Sequence, residues 1–100
     1  MKKILFLILF FTTSVLAAPP ITIVVPFPPG GFIDVFGRNI GRYLNSSLQQ
    51  DVIIINRPGA DGRLAMDYVA QQPANGSHLL IGSTGVTLFN RVLYTSLNTD

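Results

Sequence analysis

The sequence contains no cysteine and only one histidine. Without cysteine there is no disulfide framework to hold a small exported domain together, and no attachment site for a lipoprotein anchor. One histidine and five dispersed aspartates provide no group of residues with the spacing of metal ligands. Nucleotide-binding fingerprints of the G-x-G-x-x-G or G-x-x-x-x-G-K-S/T type are absent as well. We therefore expect no metal, no cofactor and no disulfide, and a fold held by its hydrophobic core.

No hydrophobic run is long enough to span a bilayer, which takes roughly 20 residues. The longest unbroken run is Ile4–Phe11, which follows Lys2 and Lys3 and precedes small residues around Val15–Ala17. This is the pattern of a secretory signal with its cleavage site. We expect residues 1–17 to be a signal peptide, and the exported chain from residue 18 onward to have no stable insertion in a membrane.

The formal net charge of +2 depends on that signal segment. Of the seven basic residues, Lys2 and Lys3 lie in the signal, which leaves five arginines against five aspartates. The arginines are scattered along the chain and form no basic cluster. The charge pattern therefore gives no argument for nucleic acid as a partner.

One stretch organises the rest of the chain. The β-branched run Ile21–Val25 stops at a proline, passes through a Pro/Gly loop over residues 26–31, and gives way to helical spacing from about Asp34 to Gln49. This pattern predicts a buried strand, a tight turn and a helix. The free N–H groups at the start of that helix, together with its dipole, suit an anion. A stiff turn without a ligand is equally compatible with these residues.

Apolar residues recur at three- and four-residue steps in this helix, which predicts one stripe packed on the sheet. Gly37 and Gly41 weaken the helix by about 1 kcal/mol each relative to alanine. Their four-residue spacing puts both on one side, so we expect close packing there against a strand or a neighbouring helix. The predicted stripe consists of Val35, Phe36, Ile40, Tyr43, Leu44 and Leu48.

Further strands and helices alternate along the remaining chain. Strands are predicted over residues 52–55 and 79–81, and helices over residues 63–72 and from Gly85 to Leu93. The alternation indicates an α/β fold with a parallel, doubly wound sheet. Ligands of such sheets bind outside the carboxyl ends of the strands. The loops at that edge cover residues 26–32, 57–62 and 82–87, and we call them the first, second and third loops.

Four polar residues have two readings each. Asp34 sits where the N-cap or an acidic residue of the first turn of the helix belongs, although it could also border a ligand. Ser83 and Thr84 could bind a carboxylate or cap the following helix, and the sequence favours neither. His78 lies at the start of the third strand, toward the opposite edge of the sheet. A partly exposed strand-end role therefore fits His78 better than a catalytic one.

Three segments resemble those of a known family. They are Val24–Asp34, Ile55–Ala60 and Leu79–Gly85, and they read V-V-P-F-P-P-G-G-F-I-D, I-N-R-P-G-A and L-L-I-G-S-T-G. In this order and spacing the chain resembles the substrate-binding receptors of tripartite tricarboxylate transporters, often called Bug receptors. The resemblance runs from Ile21 to about Leu97.

The resemblance implies a periplasmic receptor, and not an enzyme, that delivers a small carboxylate to a membrane permease. It implies that residues 18–100 form the N-terminal part of the first of two lobes. That part would be a partial type II periplasmic-binding-protein lobe, with a parallel sheet in the order 2-1-3 and flanking helices. The first and third loops would hold one carboxylate through N–H groups, hydroxyls and waters. Carried over by position, the ligand-binding residues are Phe27, Pro28, Gly30, Gly31, Asp34, Ser83 and Thr84.

The chain also departs from the family. Asp61-Gly62-Arg63 stands where the family commonly has G-G-N, and Asn75–His78 stands where it has D-G-Y-T. Family members are much longer, so we expect a truncated receptor that alone does not bind a carboxylate tightly. Two alternatives remain: a small α/β enzyme that uses Asp34 as a general base on an anionic substrate, and a structural module completed by a partner.

Overall fold

The computed structural model describes residues 18–89, without the side chain of Phe89, and Ser14 alone from the segment before them. The rest of the predicted signal peptide, the end of the last predicted helix and the end of the resemblance lie outside the described residues. Within the described part, no helix is both long and apolar enough to cross a membrane.

Three parallel strands form one sheet in the order β2-β1-β3. The strands are β1 (Ile21–Val25), β2 (Val52–Asn56) and β3 (His78–Leu80). The central strand β1 forms the core, because the side chains of Ile23, Val24 and Val25 are at most 1% exposed. The predicted parallel order is confirmed, and each predicted strand lies within one residue of its observed bounds.

Two α-helices flank the sheet, and two short turns of other helical types accompany them. Helix α1 covers Phe32–Leu48 and helix α2 covers Arg63–Ala70. A 3-10 turn over Ala60–Gly62 precedes α2, and a π-helical turn over Gly85–Phe89 follows the third loop. Helix α1 begins two residues before its predicted start, and α2 ends two residues before its predicted end. The α/β class predicted from the alternation is confirmed.

Two glycines form the contact between α1 and the sheet. A Cβ atom on Gly37 would lie 2.8 Å from Cδ1 of Ile81 and 3.2 Å from Cγ2 of Val25. A Cβ atom on Gly41 would lie 3.1 Å from Cδ1 of Ile54 and 3.3 Å from Cγ1 of Val52. The backbone of the helix therefore rests directly on strand side chains. The predicted close packing of the two glycines is confirmed.

The predicted apolar stripe of α1, in contrast, is wrong in most of its members. Ile40 and Leu44 are half-buried. The other four members are exposed. The face of α1 that packs on the sheet is the one that carries Gly37 and Gly41, and these four residues lie outside it. Their exposed fractions are Val35 49%, Phe36 47%, Tyr43 71% and Leu48 53%.

The glycine contacts also fix the direction of α1 across the sheet. Gly37, near the start of the helix, lies against residues at the carboxyl ends of β1 and β3, whereas Gly41 lies against β2. The helix therefore crosses the sheet diagonally. Its N-terminus lies at the carboxyl edge, above the point where the central strand and β3 end.

Strand β2 is only partly buried. Val52 and Ile54 face α1, and by strand alternation Ile53 faces the other side, where it is 46% exposed. Helix α2 on that side packs chiefly against β1 and β3. It therefore leaves this part of β2 uncovered, which the apolar run alone did not reveal.

We predict that Gly37→Leu lowers the free energy of unfolding by about 1–3 kcal/mol, the usual cost of overpacking a core. Val25 is fully buried in the central strand and cannot give way, so α1 must shift outward. The matched control is Asn39→Leu, an exposed position two residues further along the same helix. Urea unfolding followed by circular dichroism compares the two variants, and equal stability would show that the glycine contact does not constrain the helix.

Candidate functional site

The three loops meet at the carboxyl edge of the sheet. Backbone hydrogen bonds extend the ladder beyond the strands, since the N–H of Arg57 donates to the Val25 carbonyl at 2.8 Å and the N–H of Ile81 donates to the Val24 carbonyl at 3.0 Å. The second and third loops also touch. Gly62, with φ +87°, leaves no room for a Cβ atom against the side chain of Val86. The edge predicted for a ligand is therefore assembled from all three loops.

Asp34 joins the first loop to α1 and β2. Its Oδ2 accepts hydrogen bonds from the Gly30 N–H at 3.0 Å and from Nε of Arg38 at 2.9 Å, and its Oδ1 accepts one from Nδ2 of Asn56 at 2.9 Å. The same amide nitrogen of Asn56 donates to the carbonyl of Phe27 at 3.0 Å. Asp34 is 3% exposed, so this carboxylate belongs to the scaffold of the loop.

These three donors lower the pKa of Asp34 from its ordinary value of 3.8 to about 2. The largest contribution comes from the hydrogen bond of Arg38, followed by those of Asn56 and Gly30. The same contact raises the pKa of Arg38. A carboxylate that is buried, fully paired and this acidic is a poor general base at neutral pH. The enzyme alternative therefore loses the only base that the sequence offered beside the loop.

Helix α1 begins without a side-chain cap. Its N-cap residue is Gly31, in an extended conformation, and Asp34 in the first turn reaches back to Gly30, one residue before the cap. Asp34 is therefore not the N-cap residue but an acidic residue of the first turn, the other position that the sequence allowed, and its carboxylate accepts the N–H of Gly30 ahead of the helix. Among residues 18–89, no hydrogen bond uses the N–H groups of Gly31, Phe32 or Ile33. These N–H groups, and not that of Gly30, are open to a ligand.

An apolar depression of about 430 Å³ opens beside these N–H groups. Phe32 is 81% exposed and its ring stacks on that of Phe36, with centroids 6.2 Å apart. Polar side chains contribute nothing to the lining. The depression is lined by Phe27, Pro28, Pro29, Gly31, Phe32 and Ile33.

A second depression, of about 320 Å³, lies between α1 and β2. It contains two arginines, Arg38 and Arg42, of which the first is paired with Asp34. Gly41, Asn45 and Val52 complete much of its wall, so it extends toward the amino end of the sheet. It is therefore separate from the edge where the loops meet.

The third loop begins with a capping serine. Oγ of Ser83 accepts the N–H of Val86 at 3.3 Å, and the Ser83 carbonyl accepts the N–H of Thr87 at 2.9 Å. The capping interpretation of Ser83 is thus confirmed, while the hydroxyl proton of Ser83 can still be donated. Thr84 is exposed, and its side chain has no hydrogen bond to another described residue. A ligand role for Ser83 and Thr84 stays a prediction.

The structure brings the predicted site residues to one edge of the sheet. Some of their polar groups are already hydrogen-bonded within the protein, whereas others are free to contact a ligand. The Gly30 N–H and the Asp34 carboxylate are used within the protein, so direct contact with a ligand does not follow for either group. Gly31 offers an open N–H. Phe27 and Pro28 line the apolar depression and remain predicted ligand contacts.

Asn56 and Arg38 are the functional positions that sequence reasoning missed. Asn56 ends β2 and is 22 residues from Asp34 along the chain, so no local spacing connects them. The signal that could have found Asn56 is its place in the I-N-R-P-G-A motif, directly after a strand. Arg38 stands four residues after Asp34 on the same helix, the ordinary spacing of a helical ion pair.

The second loop takes an unusual backbone conformation. Four consecutive residues have positive φ: Gly59 at 126°, Ala60 at 49°, Asp61 at 54° and Gly62 at 87°. Asp61 replaces a glycine of the family pattern at a left-handed position. Aspartate is among the few residues besides glycine that occupy this region with some frequency. Aspartate at position 61 is therefore compatible with the left-handed conformation of this turn.

His78 lies at the edge opposite the site, and the side chain of Arg57 packs on Tyr68 of α2. His78 begins β3 at the amino edge, with Nδ1 3.0 Å from Oγ of Ser77 and its ring edge-on to Tyr68. The guanidinium of Arg57 stacks 3.7 Å over the centroid of the same Tyr68 ring. The predicted strand-end position of His78 is confirmed, and the cation of Arg57 packs against α2.

Comparison with known proteins gives several relatives, although no family model matches the chain. The chain is 44% identical over 81 residues to the UPF0065 protein in the tcbD-tcbE intergenic region of Pseudomonas sp. strain P51, a match that covers 77% of this chain and 24% of that protein. It is 40% identical over 89 residues to BugT of Bordetella pertussis, covering 80% of this chain and 27% of BugT. The chain thus spans about a quarter of the length of these relatives.

A solved structure agrees with the fold. The structure of R. palustris Rpa4515 with adipate superposes with a TM-score of 0.73 at 38% sequence identity. The match covers 81% of this chain and 27% of that one. The three-stranded parallel sheet with its flanking helices is therefore the fold of a segment of a periplasmic-binding-type receptor.

We predict that Asp34 stabilises the fold above the pKa of the unfolded carboxyl, 3.8, and loses this effect as the pH falls toward 2. The direction follows because the folded state favours the ionised form, so the unfolded state takes up the proton first. Urea midpoints measured across this interval should fall for the wild type. They should change less for Asp34→Asn, which is destabilised throughout.

The exposed residue Asp51 supplies the matched control for this measurement. Asp51→Asn should keep the acid dependence of the wild type. An Asp34→Asn variant whose midpoints fall as steeply as those of the wild type would contradict the assignment.

Proposed function

Because the chain belongs to the Bug receptors, the receptor family of tripartite tricarboxylate transporters, we propose that it contributes a ligand-binding edge to an extracytoplasmic solute receptor. Bug receptors are periplasmic solute-binding proteins and not enzymes. Within this proposal residues 1–17 are a signal peptide, residues 18–100 form the N-terminal part of the first lobe, and a membrane permease receives the ligand.

The observation that carries the proposal is the row of open N–H groups at the start of α1. The N–H groups of Gly31, Phe32 and Ile33 have no partner among residues 18–89, and they lie at the positive end of a 17-residue helix. Such an end favours a negatively charged group. Asp34 does not oppose the anion strongly, because its charge is paired with Arg38. The ligand group proposed here is a carboxylate.

The apolar depression supports a narrower class of ligand. A carboxylate held at Gly31–Ile33 would place the rest of the molecule over Phe27, Pro28 and Phe32. These surfaces offer no hydrogen bonds to hydroxyl groups, and burying a hydroxyl without a partner costs free energy. We therefore propose acids with a hydrocarbon body, a class that includes the adipate named for the related structure.

Replacement of one N–H group tests the carboxylate proposal. Proline is tolerated at the first helical position, and the extended conformation of Gly31 (φ −78°, ψ 173°) suits a residue before proline. We predict that Phe32→Pro weakens the binding of adipate several-fold relative to Phe32→Ala. Both variants lack the phenyl ring, and they differ in the N–H that the proposal gives to the ligand.

Amide chemical shifts of the labelled chain, titrated with adipate, provide the readout. Shifts should concentrate at residues 31–33 and 83–85, and 1,6-hexanediol, which has the same carbon chain without charge, should leave them unchanged. Equal binding by the Phe32→Pro and Phe32→Ala variants would show that the N–H of residue 32 does not contribute to binding. Chemical-shift changes elsewhere in the chain would show that adipate binds at another site.

A second titration tests the hydrocarbon body. Galactarate has the six carbons and two carboxylates of adipate with four added hydroxyl groups. We predict that the chain binds adipate more tightly than galactarate. We also expect that Phe32→Ser reduces the difference, whereas Val35→Ser, on the same helix but outside the depression, preserves it. Equal affinities would reject the apolar contact, and binding of neither acid would reject the carboxylate proposal itself.

A further inference from the structure

The turn between α2 and β3 contains an exposed Asn75-Gly76 pair. Gly76 has φ +80°, and no atom lies within 4 Å of the position that a Cβ atom would occupy there. The side chain of Asn75 folds over the turn, since its Oδ1 accepts the N–H of Ser77 at 3.0 Å. Other parts of the protein therefore leave open space beside Gly76, whose backbone nitrogen follows Asn75 directly in the chain.

We propose that Asn75 is a site of spontaneous deamidation. The backbone nitrogen of Gly76, after loss of its proton, attacks Cγ of Asn75, and the side-chain nitrogen leaves as ammonia. The five-membered succinimide that results is then opened by water at either carbonyl. One opening gives aspartate at position 75, and the other gives isoaspartate, in which the backbone passes through the former side chain. Overall, water is consumed and ammonia is released, and no oxidant or reductant takes part.

The hydrogen bond from Ser77 assists the first step. A donor on Oδ1 withdraws electron density from Cγ and stabilises the negative charge that develops on the oxygen during attack. The geometry is that of an Asx turn, a common local bond of asparagine. In this turn the same bond that stabilises the conformation also activates the carboxamide.

The other asparagines of the described residues lack this combination. Asn39 and Asn45 lie inside α1, where the N–H of the following residue belongs to the helix ladder. Asn56 ends β2, and its amide nitrogen donates to Phe27 and Asp34. A bulkier residue than glycine also follows each of them: Ile40, Ser46 and Arg57.

The formation of isoaspartate would disturb the pairing of β3 with β1. The Ser77 carbonyl accepts the Thr22 N–H at 2.7 Å, which is the bond that starts the β1–β3 ladder. Isoaspartate at position 75 inserts an extra methylene into the backbone two residues earlier and adds a negative charge. The ladder can then keep its register only if the turn rearranges. The aged chain is therefore less stable than the chain with ordinary aspartate at position 75.

Incubation of the full chain in mildly alkaline buffer at physiological temperature tests the proposal. Peptide mapping by mass spectrometry should show a gain of about one mass unit at Asn75 first, with isoaspartate as the larger product, at a rate that rises with pH. Asn75→Gln should abolish the early conversion, because glutamine would have to close a larger ring. Asn75→Asp should unfold at a higher urea concentration than the isoaspartate product.

Two outcomes would overturn the proposal. One is conversion of Asn39, Asn45 or Asn56 as fast as Asn75 in the folded chain. The other is a rate at Asn75 many-fold lower than in a synthetic peptide of residues 71–80, which would mean that the folded turn protects the carboxamide. A rate equal to or above that of the peptide supports it.

Discussion

The carboxyl edge of this sheet depends on one buried carboxylate. Asp34 accepts hydrogen bonds from the first loop, from its own helix and from the end of β2, and thereby ties the loop and the helix to a strand 22 residues further along the chain. Without these bonds, Gly30 would lose the acceptor of its N–H, and Asn56 would lose one of the two groups that it joins. The network thus holds Gly30 in place directly before the open N–H groups at the start of α1.

The network also resolves an electrostatic conflict. A carboxylate in the first turn of a helix competes with any anion for the same positive end. Here Arg38 compensates the charge, and the acceptor oxygens point to donors within the protein. The N–H groups of Gly31, Phe32 and Ile33 then remain for another acceptor. A residue that resembles a catalytic base in the sequence therefore has its charge paired within the protein.

The sequence predicted the strands and the loops at the site, because β-branched runs and Pro/Gly turns report local conformation directly. The order of the strands came from the resemblance to the receptor family. The sequence-based predictions failed where tertiary packing determines which residues are buried. Hydrophobic periodicity counts large side chains, so Phe36 and Tyr43 were assigned to the sheet while Gly37 and Gly41 made the actual contact. The burial of Ile53 depends on where α2 settles. The role of Asn56 depends on a contact across 22 residues, which no local pattern contains.

The close packing of α1 on the sheet at Gly37 and Gly41 has a thermodynamic consequence. Where bulky side chains separate a helix from a sheet, rotamer changes allow the two to slide past one another. Here the backbone of α1 contacts the strand side chains directly, so the first turn of the helix has little freedom to shift along the sheet. The conformational entropy of these amides is lost when the chain folds, so an acid of the proposed kind would not have to order them. Such preorganisation leaves more of the interaction free energy to appear as affinity.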